Sequence, residues 1–250
     1  MFRILSLIPL WLFCNILPGN NEITDFFKSS KRNDRFNAGA IVISSFLLPF
    51  YSTEQGFYFS AGILTSFKPK RNNPYLSHSI LPLKADLGIN KTIMSSLLLN
   101  SYCLDDIIRF NLLFIYNNLN DHYWGVGMDR SLNVEKGSLT TAYRRKYFAI
   151  QPELAVQVIK NIYAGIIYDY IHTVATDITD LMKEDEYIIK FGTDIRSTGL
   201  GALFKFDSRS SFSSPAKGLF IKLNYKIYRE IFGSKYEFEI VQFDYRQDQP

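Results

Sequence analysis

The sequence predicts an all-β protein, an antiparallel transmembrane β-barrel of which about ten strands are present. Three observations carry this expectation. Segments of about ten to twelve residues alternate apolar and polar side chains, which is the period of a strand. They exceed the ~5–6 residues usual in soluble sheets and match the ~9–11 that a tilted membrane-spanning strand needs. The chain also opens with an export signal, and no later stretch reaches the ~18 apolar residues of a spanning helix.

Residues 1–19, MFRILSLIPLWLFCNILPG, place Arg3 before an apolar run that is broken by Pro9 and Asn15 and exits through Pro18 and Gly19. This is signal-peptide anatomy, with cleavage expected near Gly19. Acylation at Cys14 would require a small residue before it, where Phe13 stands. Residues 20–37 are polar and charged and read as a leader, with the barrel domain over 38–250.

Strands are expected at 38–50, 56–67, 79–90, 92–102, 107–118, 147–158, 162–173, 200–207, 218–228 and 236–246. The clearest is 147–158, where Phe148, Ile150, Pro152, Leu154, Val156 and Val158 oppose Ala149, Gln151, Glu153, Ala155 and Gln157. In 218–228, Leu219, Ile221, Leu223, Tyr225 and Ile227 oppose Phe220, Lys222, Asn224, Lys226 and Tyr228, so the first set is expected to face lipid and the second the lumen. Segment 107–118 splits the same way but admits Leu113 and Ile115 on its polar face. Segment 92–102 alternates poorly, and 236–246 changes parity between Ile240 and Val241, as a bulge would make it do. Turns are expected at 68–74, 117–121 and 210–218, where Pro, Gly, Asn, Asp and Ser gather. Phe57, Phe67, Tyr102, Tyr116, Tyr147, Tyr168, Tyr170, Tyr228 and Tyr236 lie near strand ends, which suits aromatic girdles at the two membrane interfaces.

Composition agrees with an exported barrel. With 47% hydrophobic residues the chain is no disordered tail, and its 28 Lys+Arg against 24 Asp+Glu leave only +4, too weak a field for nucleic acid. Loss of Cys14 with the signal leaves Cys103 alone, so no intrachain disulfide or cysteine metal site is expected. His78, His122 and His172 are too far apart in sequence for zinc-ligand spacing.

Segment 199–218, GLGALFKFDSRSSFSSPAKG, resembles the signature of the bacterial surface antigen family, the barrels of BamA/TamA-like outer-membrane assembly proteins. The matching positions are Asp207, Ser208 and Arg209 at the end of a glycine-containing strand, then Pro215 in the turn and Gly218 opening the next strand. Upstream, Tyr51-Ser52-Thr53-Glu54-Gln55-Gly56 is similar to the family's early turn, and Trp124-Gly125-Val126-Gly127 to its aromatic-Gly-x-Gly loop. The resemblance implies a barrel of sixteen strands in the outer membrane of a Gram-negative bacterium, with lipid and unfolded outer-membrane proteins as partners. The family's periplasmic modules and its Arg-Gly-Phe/Tyr loop motif are not found here, so the chain is expected to be part of a larger barrel whose first and last strands are not paired. Independently of any family, Asp207 and Arg209 are two apart, so an extended chain puts both on one face, the lumen side if Phe204 and Phe206 face lipid.

Asp121-His122 and His172 are the acid/base candidates, but no G-x-S-x-G, H-E-x-x-H or phosphate-loop pattern accompanies them, and no enzyme activity, cofactor, metal or small-molecule substrate is expected. Met182 to Glu186 reads as an exposed loop, and Arg144-Arg145-Lys146 as a solvated loop end before a strand, with acidic lipid headgroups as the other partner it could meet. The function classes left open are an assembly or translocation barrel, a passive porin-like or structural surface barrel, and a secreted soluble β-protein.

Overall fold

The computed structural model describes residues 34–70, 76–128, 134–209 and 216–248. The expected export signal at 1–19, most of the expected leader at 20–37, and Pro215 lie outside the described residues. Ten strands form one antiparallel sheet in sequence order: β1 (Val42–Ser52), β2 (Gly56–Phe67), β3 (Ser79–Gly88), β4 (Ile93–Cys103), β5 (Ile108–His122), β6 (Ala142–Ile159), β7 (Ile162–Thr176), β8 (Asp194–Asp207), β9 (Gly218–Tyr228) and β10 (Phe238–Asp248). Two short helices, α1 (Asp180–Lys183) and α2 (Glu186–Phe191), sit between β7 and β8. The sheet is open: among the described residues β1 pairs only with β2, and β10 only with β9. The expected lack of pairing between the first and last strands is therefore what the structure has.

The sheet also curls. Arg109 of β5 donates to Asp207 of β8 at 2.7 Å, and Lys222 of β9 to Glu153 of β6 at 2.5 Å. Each pair is separated by three strand spacings, ~14 Å along a flat sheet. Side chains of these lengths meet only if the strands bend around a common interior.

Period two decides what enters that interior. On β6 to β8 the odd positions point inward, among them Ala149, Ala155, Tyr163, Ile167, Asp169, Leu203, Lys205 and Asp207, all buried. On β9 the even positions do so, with Phe220, Asn224, Lys226 and Tyr228 buried. The opposite parity leaves Leu154, Val156, Ile166, Leu200, Phe204, Leu223, Val241 and Phe243 exposed on the outer face. The order of a soluble core is inverted on these strands: charges are covered on the inner face, while the outer face is apolar and open.

Several expectations are corrected. The register of β9 with β10 runs unbroken from Phe238↔Tyr228 to Asp248↔Gly218, so no bulge separates Ile240 from Val241. Ile240 instead pairs opposite Lys226 and shares its face, while the irregularity found lies at Gln157/Ile159 of β6. The asparagines at 117–120 continue β5 rather than turn it, because Arg144 donates to the Asn118 and Asn120 side chains across the β5–β6 pair. That same Arg144 reaches the Asn90 and Lys91 carbonyls, so it clamps the β3–β4 turn from within β6 and is not a solvated loop end. Met182 to Glu186 is no plain exposed loop: Met182 and Asp185 are buried, and the Asp185 side chain caps α2 by accepting from the Tyr187 amide at 2.9 Å. Tyr102 and Tyr228 are not girdle residues. Both stand at inward parity and are buried against charged groups.

Candidate functional site

Charged side chains of the interior form three clusters on β5 to β9, besides the Lys84–Asp86 pair of β3 at 2.9 Å and the Arg145–Asp121 pair of β6 and β5 at 2.9 Å. At the end carrying the β4–β5 turn, Arg109 of β5 is gripped by Asp106, with Nε and Nη2 donating at 2.7 and 2.8 Å, and its Nη1 donates to Asp207. Tyr163 of β7 lies under the guanidinium, 3.9 Å from ring centroid to Cζ, and its hydroxyl donates to Asp106 at 2.6 Å. The carboxylate of Asp207 also accepts from Arg209, at 2.8 Å from Nε and 3.0 Å from Nη2. Two guanidiniums thus converge on one buried carboxylate, each by the charge-assisted bonds that a planar fork makes well.

The expected motif residues fall around this cluster. Asp207 and Arg209 share the interior face and pair. Ser208 joins the facing strand, its amide donating to the Leu219 carbonyl at 2.9 Å and its hydroxyl accepting from the Leu219 amide at 3.1 Å. Gly218 has φ +129°, and a β-carbon there would stand 2.5 Å from the Arg209 Cα, so only glycine lets β9 start this close to the tripeptide.

The second cluster lies one inward position further along. Glu153 of β6 accepts from Lys205 of β8 at 2.9 Å, Lys222 of β9 at 2.5 Å and the Asn111 amide of β5 at 3.1 Å. In the third, Asp169 of β7 accepts from Lys226 at 2.6 Å, Tyr228 at 2.5 Å and Gln151 at 2.6 Å. Room for the Tyr228 ring comes from Gly199, where a β-carbon would stand 2.8 Å from that ring.

Arg109, Asp106, Glu153, Asp169, Lys205 and Lys226 were not among the expected site residues. Their signal was present: Arg109, Glu153, Asp169, Lys205 and Lys226, like Lys222, are charged residues at inward parity within strands whose outward positions are apolar.

The acid/base candidates are dispersed. His122 Nδ1 is 2.8 Å from the Thr141 hydroxyl, and Asp121, its neighbour in an extended strand, points to the other face. His172 Nε2 is 2.8 Å from Asp194 Oδ1 at the far end of β7. Among the described residues no group of three or more His, Cys, Asp or Glu is placed to hold a metal ion.

Outside the strands, Lys136 pairs with Glu54 at 3.0 Å, tying the β5–β6 loop to the β1–β2 turn and holding the Glu54 carboxyl below the usual range. His78 stacks on Phe36 with centroids 3.9 Å apart, and its removal from water pushes its pKa down from the ordinary 6.5.

No family model matches the sequence, and no curated protein does. Among solved structures, 15 chains match. One is described as the crystal structure of BamA from Haemophilus ducreyi lacking POTRA domains 1-3, at 16% identity and a TM-score of 0.44. The match covers 84% of this chain and 37% of that one, so this chain spans well under two thirds of that structure's length.

Proposed function

We propose that this chain is an outer-membrane β-barrel protein. One observation carries the reading: the single-layer sheet covers its charges and exposes its apolar side chains. Lys205, Asp207, Asp169 and Lys226 are buried on the inner face, while Leu223 at 43%, Phe243 at 67% and Val241 at 69% are left open on the outer face. In water the outer face would be a continuous apolar patch far beyond what soluble monomers carry. Hydrocarbon covers it without cost. Turning any of the interior charges outward would cost ~2–4 kcal/mol for Arg or Lys near the bilayer midplane, so the parity of every strand is selected by the medium. A secreted soluble β-protein would need a second layer over that face, and the export signal read at 1–19 directs the chain to where outer-membrane barrels assemble.

Fractionation tests this reading. The folded chain is expected in the outer-membrane fraction and released only by detergent, and its recovery folded in the soluble periplasm would refute the proposal.

The finer reading is a barrel that assists the folding or translocation of other outer-membrane proteins. It is supported by the resemblance of the Asp207-Ser208-Arg209 motif and Gly218 to the surface antigen signature. Vesicles carrying the purified chain should then speed the insertion of an unfolded outer-membrane client. Equal rates in loaded and empty vesicles would leave the passive surface barrel as the better description.

A further inference from the structure

The apolar outer face of β5 to β9 ends differently at its two rims. Toward the β6–β7 and β8–β9 connections the outward positions are Ile108, Val156, Ile162, Phe206 and Leu219, none of them charged. Toward the other rim, Arg144 and Lys146 of β6 and Arg196 of β8 all stand at outward parity. No carboxylate answers these three. Arg144 donates only to the Asn118 and Asn120 side chains and to backbone carbonyls, all neutral groups. Lys146 and Arg196 are exposed, and neither side chain has a hydrogen bond or ion pair to a described residue. The carboxylates of the same face are engaged elsewhere: Asp194 with His172 at 2.8 Å, and Glu239 with Arg229 and Tyr225.

Register places these cations around one patch. Phe148 pairs with His172 and His172 with Arg196 across β6, β7 and β8, while Lys146 is two residues on from Phe148. Lys146 and Arg196 are thus two strand spacings apart across the sheet and two residues apart along it, ~10 and ~7 Å, which puts their α-carbons ~12 Å from each other. Below them the Phe148 ring packs edge-on against Phe114 and Tyr170, with centroids 5.5 and 5.8 Å apart. Side chains as long as these lay their methylenes on the apolar band and carry their charges to its edge, where both reach one group held between them. We propose, resting on the reading that the outer face meets lipid, that this patch docks an anionic, phosphate-bearing lipid headgroup. Lys146 and Arg196 hold the phosphate, Arg144 adds positive charge beside them, and the Phe114, Phe148 and Tyr170 rings meet the acyl chains. Outward parity at the edge of the apolar band sets the cations at headgroup depth, and the lipid supplies the anion that the fold does not.

The full chain, folded in a neutral detergent, is titrated with phosphatidylglycerol and, separately, with phosphatidylcholine of the same acyl chains, and the bound lipids are counted by native mass spectrometry. Phosphatidylglycerol is expected to bind at least about tenfold more tightly. Lys146→Gln combined with Arg196→Gln should remove most of that preference, since each cation beside an anionic headgroup is worth about fivefold. Neither side chain has a partner within the fold, so the double variant should fold as the parent does. Lys160→Gln makes the same change of charge just beyond the other end of β6 and should leave the preference where it was, as should Lys146→Arg. No preference for phosphatidylglycerol, a preference that the double variant keeps, or an equal loss in Lys160→Gln would overturn this proposal alone. A chain that stays folded without detergent and binds neither lipid would overturn the outer-face reading with it.

Discussion

Replacing Asp207 by Asn keeps the side-chain shape and removes the charge on which two guanidiniums converge. Arg109 reaches it at 2.7 Å and Arg209 at 2.8 Å, and the three side chains are 11%, 5% and 6% exposed for Arg109, Arg209 and Asp207. Breaking a buried pair from one side costs ~3–5 kcal/mol, because a charge is left without its partner. Arg109 keeps its two-pronged contact with Asp106 at 2.7 and 2.8 Å, so the loss falls mainly on Arg209. The expected destabilisation is therefore near the low end, about 3 kcal/mol. Urea unfolding of the chain reconstituted in bilayers, followed by tryptophan fluorescence, measures it. The double variant Asp207→Asn with Arg209→Gln also removes the cation that Asp207 paired with and should be less destabilised than Asp207→Asn alone. A loss within the ~0–1 kcal/mol of an exposed ion pair, or a double variant worse than the single one, would refute the reasoning.

Three further outcomes follow from the same geometry. Gly199→Val should cost about 1–3 kcal/mol in the same unfolding assay, because its side chain overlaps the Tyr228 ring that a β-carbon already meets at 2.8 Å. Arg144→Ala should speed amide exchange at 90–92, since that side chain holds the carbonyls of Asn90 and Lys91 beside the Asn118 and Asn120 side chains, and unchanged exchange would show that the turn needs no clamp. The folded-state pKa of His78 lies below 6.5, so its contact with Phe36 is intact above 6.5 and is lost as pH falls from 6.5 through the lower folded value. Titration of the His78 ring by NMR at or above 6.5 would contradict this.

Most of the fold was legible because one face of each strand is apolar enough to impose its period. β2 and β9 occupy the expected segments 56–67 and 218–228, and the inward set Phe220, Lys222, Asn224, Lys226 and Tyr228 is the one alternation assigns. Legibility failed where the interior is not uniformly polar. Ile240 and Phe238 face inward beside Lys226 and Tyr228, with the Phe238 ring stacked on Tyr228 at 4.1 Å, and this mixed face imitates a change of parity. It failed again where polar residues extend a strand beyond its apolar part: β6 begins at Ala142, through Arg144 and Arg145, and β8 at Asp194, because neighbouring strands supply the partners that an isolated segment lacks. The motif residues Asp207 and Arg209 were legible as a same-face pair. Their union with Arg109, 98 residues away from Asp207, depends on the curl of the sheet and has no local signature.

The central claim is that the exposed apolar face of this sheet meets lipid and the covered charged face does not. Spin labels placed singly at each position from Leu219 to Ile227, in the chain reconstituted into bilayers, test it most directly. Accessibility to oxygen dissolved in the hydrocarbon should alternate with period two, high at Ile221, Leu223 and Tyr225 and low at Lys222, Asn224 and Lys226. A profile with no alternation, or with the lysine positions the more accessible to oxygen, would contradict it.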